Sequence, residues 1–248
     1  PAFWLITGDV GTGKTTVAFE LAKRLGTDRK LIAGEVLRTA EDKLLDYVPR
    51  GIAVDRIIDG VQATAIESFA SAAHPLVADG RCSAVILADL RKKKETDFEE
   101  KPISSYDNET PIPYTNGLCI VLTAREDVQK ERLVYREQKR HPEKTPEEIW
   151  KASRRRSERD NKRFQQLHKT LLKNGKVPYD PELTDHKGRP LFQILVDTSD
   201  KTPGQVVDEI ISQARNLGYI VLERKSKNKQ KLPKKGQVFP IHAEQYSL

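Results

Sequence analysis

Long apolar runs are missing from this chain, cysteines are few, and aromatic residues make up only 6% of its 248 positions. No apolar run approaches the roughly 18 residues of a membrane-spanning helix, and the first residues lack a signal-peptide pattern. The expectation is therefore a cytoplasmic protein with no membrane partner. Only two cysteines are present, Cys82 and Cys119. They sit in or beside apolar stretches without metal-ligand spacing around them, which excludes a disulfide framework and points to buried, reduced thiols. The net charge of +7 is also scarce where a nucleic-acid-binding fold would need it. Residues 224–248 carry seven cationic side chains against one acid, Glu244, so nearly all of that charge belongs to the tail and the body is close to neutral.

What is present begins at the third residue. A short apolar run, Phe3 to Thr7, leads into Gly8-Asp9-Val10-Gly11-Thr12-Gly13-Lys14-Thr15, followed by Thr16. This fits G-x-x-x-x-G-K-[ST], in which glycines let consecutive backbone N–H groups approach phosphate oxygens. Lys14 is placed to meet β- and γ-phosphates, and the Thr15 hydroxyl to ligate Mg²⁺. Val17, Ala18, Leu21, Ala22 and Leu25 follow at helical spacing, so a helix N-terminus faces the anion. The stretch is a nucleotide phosphate site, with ATP and Mg²⁺ as the expected cofactors.

Further along, Lys30–Ala33 reads as a second strand and about 54–73 as a long amphipathic helix closed by Pro75 and Asp79-Gly80. Ala84–Ala88 reads as a third, fully buried strand ending in Asp89, a carboxylate suited to holding Mg²⁺. Residues 92–116 read as a structureless insert, more readily a disordered or partner-ordered loop than a catalytic one. Leu118–Thr123 and Leu191–Val196 complete five strands. Thr145-Pro146-Glu147-Glu148 opens a helix with a capping box, residues 174–190 form a loop, and Thr202-Pro203-Gly204-Gln205 caps a last helix ended by Gly218. Tyr219–Leu222 offers a short extra strand. Strands alternating with helices predict an α/β fold, a three-layer P-loop NTPase sandwich around a five-stranded parallel sheet. The expected division is a P-loop kinase-like domain over 1–222, with the insert at 92–116, and a basic tail over 223–248.

Within the capped helix, Arg156, Arg159 and Arg163 are spaced three and four apart and are read as sharing one face, where mutual repulsion suits them to an anion. At these residues the chain resembles the cytidylate kinases. Arg156-Ser157-Glu158-Arg159-Asp160-Asn161-Lys162-Arg163 is similar to their R-D-x-R-D-x-x-R lid signature, with Ser157 at the first aspartate. Val196-Asp197-Thr198-Ser199 is similar to the end of their fifth strand, and Ile32–Arg38 to A-G-[DE]-x-[FY]-R. Val54–Asp59 is similar to a short stretch of the archaeal-type enzymes, and Asp89-Leu90-Arg91 stands where they carry E-G-R. The resemblance covers 3–217 apart from 92–116 and 174–190.

The resemblance implies ATP-dependent phosphorylation of CMP or dCMP, with a monophosphate-binding segment at about 34–80 and a helical lid at about 137–175; the expected oligomeric state is a monomer. Gly34, Arg38, Asp89 and Arg91 would then lie on the acceptor side, and Arg132, Arg136, Arg156, Arg159 and Arg163 on the lid side. Thr198 and Ser199 would lie near the adenine. Two other readings stay open: a kinase of another small acceptor, adenylate kinase-like or non-nucleotide, and an ATP-dependent regulator docking through 92–116 and the tail. For the tail, cations without interleaved aromatics imply non-specific contact with RNA or another polyanion.

Overall fold

The computed structural model describes residues 1–34, 52–69, 75–100, 117–219 and 221. Its elements run β1 (Phe3–Gly8), α1 (Lys14–Leu25), β2 (Lys30–Ile32), α2 (Ile52–Phe69), β3 (Leu76–Asp79), α3 (Ser83–Glu100), β4 (Gly117–Thr123), α4 (Glu126–Gln138), α5 (Pro146–Leu167), β5 (Ile194–Asp197) and α6 (Pro203–Asn216). The sheet is parallel throughout, in the order β2-β3-β1-β4-β5. β1 is central and buried along its whole length. Alternate residues feed two cores: Phe3 and Leu5 pack toward α3, while Trp4 and Ile6 pack toward α1 and α6. A sheet covered on both faces explains why its strands read as continuous apolar runs. The architecture is the α/β P-loop NTPase fold.

Helices α5 and α6 start where their sequences say they must. Thr145 Oγ1 accepts from the Glu148 N–H, and Glu148 Oε2 accepts from the Thr145 N–H at 2.8 Å. Thr202 and Gln205 repeat the arrangement at α6. Among the described residues no helix is long and apolar enough to cross a membrane.

The third strand lies elsewhere than expected. It is Leu76–Asp79, and Ala84–Ala88 belongs to α3, in which all five residues are buried. A short apolar run gives no periodicity to separate a strand from a helix covered on all sides, and Pro75 and Gly80 frame a genuine four-residue strand. The displacement carries Asp89 and Arg91 onto a helix, away from any strand end. It also removes the start of the expected insert, since residues 92–100 continue α3. Tyr219 and Val221 form no strand. Arg38, the rest of the insert at 101–116, Leu222 and the tail at 223–248 lie outside the described residues.

Candidate active site

The loop between β1 and α1 turns through Gly11 (φ 78°) and Gly13 (φ 86°), conformations that side chains disfavour. A Cβ on Gly11 would also lie 2.7 Å from the Gln129 carbonyl of α4. Inside this loop Lys14 donates from Nζ to the Asp9 carbonyl at 2.7 Å, and Thr12 Oγ1 donates to the same oxygen at 2.8 Å. The ammonium is enclosed, and burial brings it down to about 8, offset in part by the nearby Asp79 carboxylate. A desolvated cation held by a single carbonyl is suited to meeting polyphosphate oxygens.

Beside it, Thr15 Oγ1 donates to Asp79 Oδ2 at 2.5 Å. Asp79 ends β3 and is 5% exposed. A buried carboxylate and a hydroxyl, both hard oxygen donors, fit Mg²⁺. Thr15 and Asp79 would hold it, and it would supply charge neutralisation for phosphate oxygens. The carboxylate at the end of the third strand, expected at Asp89, is Asp79. Asp89 instead sits on α3, where its Oδ2 is 2.9 Å from His168 Nδ1. Likewise, the acid-glycine-arginine string at the sheet edge is Asp79-Gly80-Arg81 and not Asp89-Leu90-Arg91. Gly80 is required there, because a Cβ would lie 2.5 Å from Gln62 Oε1 and 2.6 Å from Ser83 Oγ.

These groups open into a cleft of about 590 Å³. Val10 through Thr16 line its donor end, with Arg132 and Thr198 above the loop. Arg132 donates to the Thr198 hydroxyl at 2.9 Å and to its carbonyl at 2.7 Å, and Thr198 Oγ1 donates in turn to the Thr12 carbonyl at 3.1 Å. Arg136 also faces the cleft. Gly34, Asp59, Gln62, Arg81 and Cys82 line the other end, together with Arg156, Asp160 and Arg163 of α5. Arg81 donates to Asp160 at 3.0 Å and Arg163 donates to it at 2.6 Å, with Arg156 3.8 Å away. One carboxylate thus organises three guanidiniums, leaving a cationic surplus on the cleft wall.

Besides Asp89, five expected site residues lie outside the cleft lining. Arg159 is exposed and borders a shallow outer depression with Ala152, Arg155 and Glu158. The inward stripe of α5 is 156, 160, 163 and 164, and a residue three positions after Arg156 is turned about 60° from it. Ser199 donates to Asp197 Oδ1 at 2.6 Å and accepts from the Arg125 N–H at 2.8 Å, fixing the corner after β5. Arg91 does not line the cleft. Asp9 and Gly8 stand behind the loop rather than facing the cleft. Asp9 Oδ1 accepts from the Ser157 hydroxyl of α5 at 3.0 Å, so the lid touches the phosphate loop at this side chain. Asp59, Gln62, Asp79, Arg81 and Asp160 are site residues that sequence reasoning missed. The signal available for two of them was Asp79-Gly80-Arg81, which follows the three-residue apolar run Leu76–Ala78.

Comparison with known proteins adds the following. A solved structure of an uncharacterized protein from Eubacterium ventriosum is similar over 85% of this chain and 96% of that chain, at 15% identity and a TM-score of 0.49. A gluconokinase from Sinorhizobium meliloti is similar over 88% and 93%, at 15% identity and a TM-score of 0.47. A shikimate kinase from Acinetobacter baumannii, in complex with shikimate, is similar over 87% and 93%, at 14% identity and a TM-score of 0.42. No protein of curated function matches the sequence. The family model described as AAA domain (AAA_18) matches residues 5–151, more than half of the length, and the chain belongs to that family.

Proposed function

We propose that this protein transfers the γ-phosphoryl group of ATP to a small anionic acceptor, a nucleoside monophosphate, with CMP or dCMP the preferred one. The observation that carries the reading is the two-ended cleft. The phosphate loop forms one end, and Arg81, Arg156 and Arg163 gathered on Asp160 give the other a cationic wall. An acceptor phosphate fits that wall, and an anionic acceptor needs no general base. Catalysis is then positioning and charge stabilisation. Lys14 and the loop N–H groups hold the donor's outer phosphates. Thr15 and Asp79 would hold Mg²⁺, which would add charge neutralisation for the phosphate oxygens. Arg132 and Arg136 stand over the donor end, where charge spreads as the phosphoryl group moves, and α5 closes the cleft against water as a competing acceptor. The cytosine preference rests on the resemblance at residues 32–38, 54–59 and 156–163.

The test is ADP release with each nucleoside monophosphate in turn, and with hydroxyl-bearing acceptors beside them. CMP or dCMP should give the highest kcat/KM. A higher value for AMP would overturn the base assignment and keep the kinase. A higher value for a hydroxyl-bearing acceptor would replace the monophosphate. Hydrolysis indifferent to every acceptor would support the regulatory reading instead. For residues 223–248 we propose non-specific polyanion contact. Truncation after Leu222 should abolish RNA retention at low salt and spare transfer.

A further inference from the structure

At the acceptor end of the cleft, a thiol, an imidazole and a carboxylate converge from three helices. Asp59 comes from α2, Cys82 immediately precedes α3, and His168 caps the C-terminus of α5. One donor atom from each lies within 4.8 Å of the others. Cys82 is 2% exposed and His168 9% exposed. His168 Nε2 is 3.1 Å from Asp59 Oδ2, while its Nδ1 is 2.9 Å from Asp89 Oδ2. A ring with one nitrogen turned into the cluster and the other oriented by an outer carboxylate is the arrangement that metal-ligating histidines adopt.

The donor set also selects the ion. Thiolate, imidazole and carboxylate together suit a borderline-soft divalent ion of the zinc class, whereas Mg²⁺ takes oxygen ligands and keeps its water. The cluster is therefore chemically distinct from the Thr15–Asp79 pair. Three protein ligands leave a tetrahedral ion one open position. Asp59 and Cys82 both line the cleft.

We propose that Asp59, Cys82 and His168 form a binding site for a zinc-class divalent cation, with Asp89 as the outer partner of the histidine. The ion takes the place of the proton between Nε2 and Asp59 and displaces the thiol proton, so binding releases protons. It ties the end of the lid helix to α2 and to the start of α3 in one unit.

The test uses the full chain without nucleotide, which keeps it independent of the kinase reading, and cobalt(II) as a spectroscopic stand-in for zinc. One equivalent of Co²⁺ should produce a thiolate-to-cobalt charge-transfer absorption that Zn²⁺ removes. Cys82→Ser should lose that absorption, and Cys119→Ser should retain it. Asp89→Asn, altering a side chain that is 42% exposed, is the variant least disruptive to folding. It should weaken Co²⁺ binding by roughly 10–100-fold. No thiolate absorption in the unaltered chain would overturn the site, as would its persistence in Cys82→Ser or unchanged affinity in Asp89→Asn.

Discussion

At the donor end of the cleft, seven consecutive residues, Val10 to Thr16, supply most of the wall; at the acceptor end, the wall comes from α2, the turn after β3 and α5. The first is one continuous stretch, the loop after β1 and the first turn of α1, whose backbone N–H groups would meet the phosphates. The second is assembled from side chains such as Gln62, Arg81 and Asp160. Their geometry exists only because Gln62 meets Ser83 at 2.8 Å and Asp160 gathers its arginines. The difference is between a site encoded in sequence order and one encoded in packing. It predicts that donor-end variants lose chemistry outright, while acceptor-end variants lose rate and selectivity by degrees.

The largest effect should come from Lys14. Lys14→Ala removes the fixed counter-charge of the donor phosphates and should lower kcat by roughly a hundredfold to a thousandfold, as for a lost oxyanion donor. Thermal melting should show no loss of stability, because burying that ammonium is itself costly. Near-normal turnover would show that the loop does not carry transfer.

Asp79 and Asp89 separate the observed carboxylate from the one expected at a strand end. Asp79→Asn should reduce kcat on the order of a hundredfold and raise the Mg²⁺ concentration needed for half-maximal rate. Asp89→Asn, assayed with zinc chelated, should do neither. Equal losses from the two would undo the assignment of Asp79.

Arg163 and Arg159 make the same contrast on one helix. A planar fork grips phosphate oxygens in a way an ammonium cannot. Arg163→Lys should therefore cost roughly tenfold in kcat, about 1.4 kcal/mol in barrier, while Arg159→Lys leaves kcat within about twofold. The reverse order would mean that α5 rotates when substrates bind.

The smallest effect concerns pH. In the empty site Lys14 titrates at about 8, lowered first by burial. Bound phosphates favour the charged form, so above that pH nucleotide binding must take up a proton. Affinity should be flat below pH 8 and fall by about fivefold between pH 8 and 9. The dependence should vanish in Lys14→Met, as titration calorimetry in two buffers would show.

The legibility of the sequence follows the same division. The phosphate loop, the capping boxes at Thr145 and Thr202 and the apolar stripe of α6 are local patterns, and each stands where its residues indicate. The third strand was not legible, because Leu76–Asp79 is shorter than the buried run Ala84–Ala88 that lies next to it. The strand-end carboxylate therefore lies ten positions before the expected one, at Asp79 rather than Asp89. Arg159 was misplaced for another reason: spacing of three and four joins residues on a face without saying where the stripe's centre lies. Asp160 stands in the sequence only as a member of the lid signature, yet it is the residue that Arg81 reaches from the end of β3.

The central claim is that one cleft holds donor and acceptor together and moves a phosphoryl group between them. Phosphorus NMR of a reaction with ATP, Mg²⁺ and CMP tests it most directly. The account predicts that ADP and the acceptor's new phosphoanhydride grow in equal amounts, with inorganic phosphate absent. Growth of inorganic phosphate alone, with the acceptor's resonance unchanged, would contradict it.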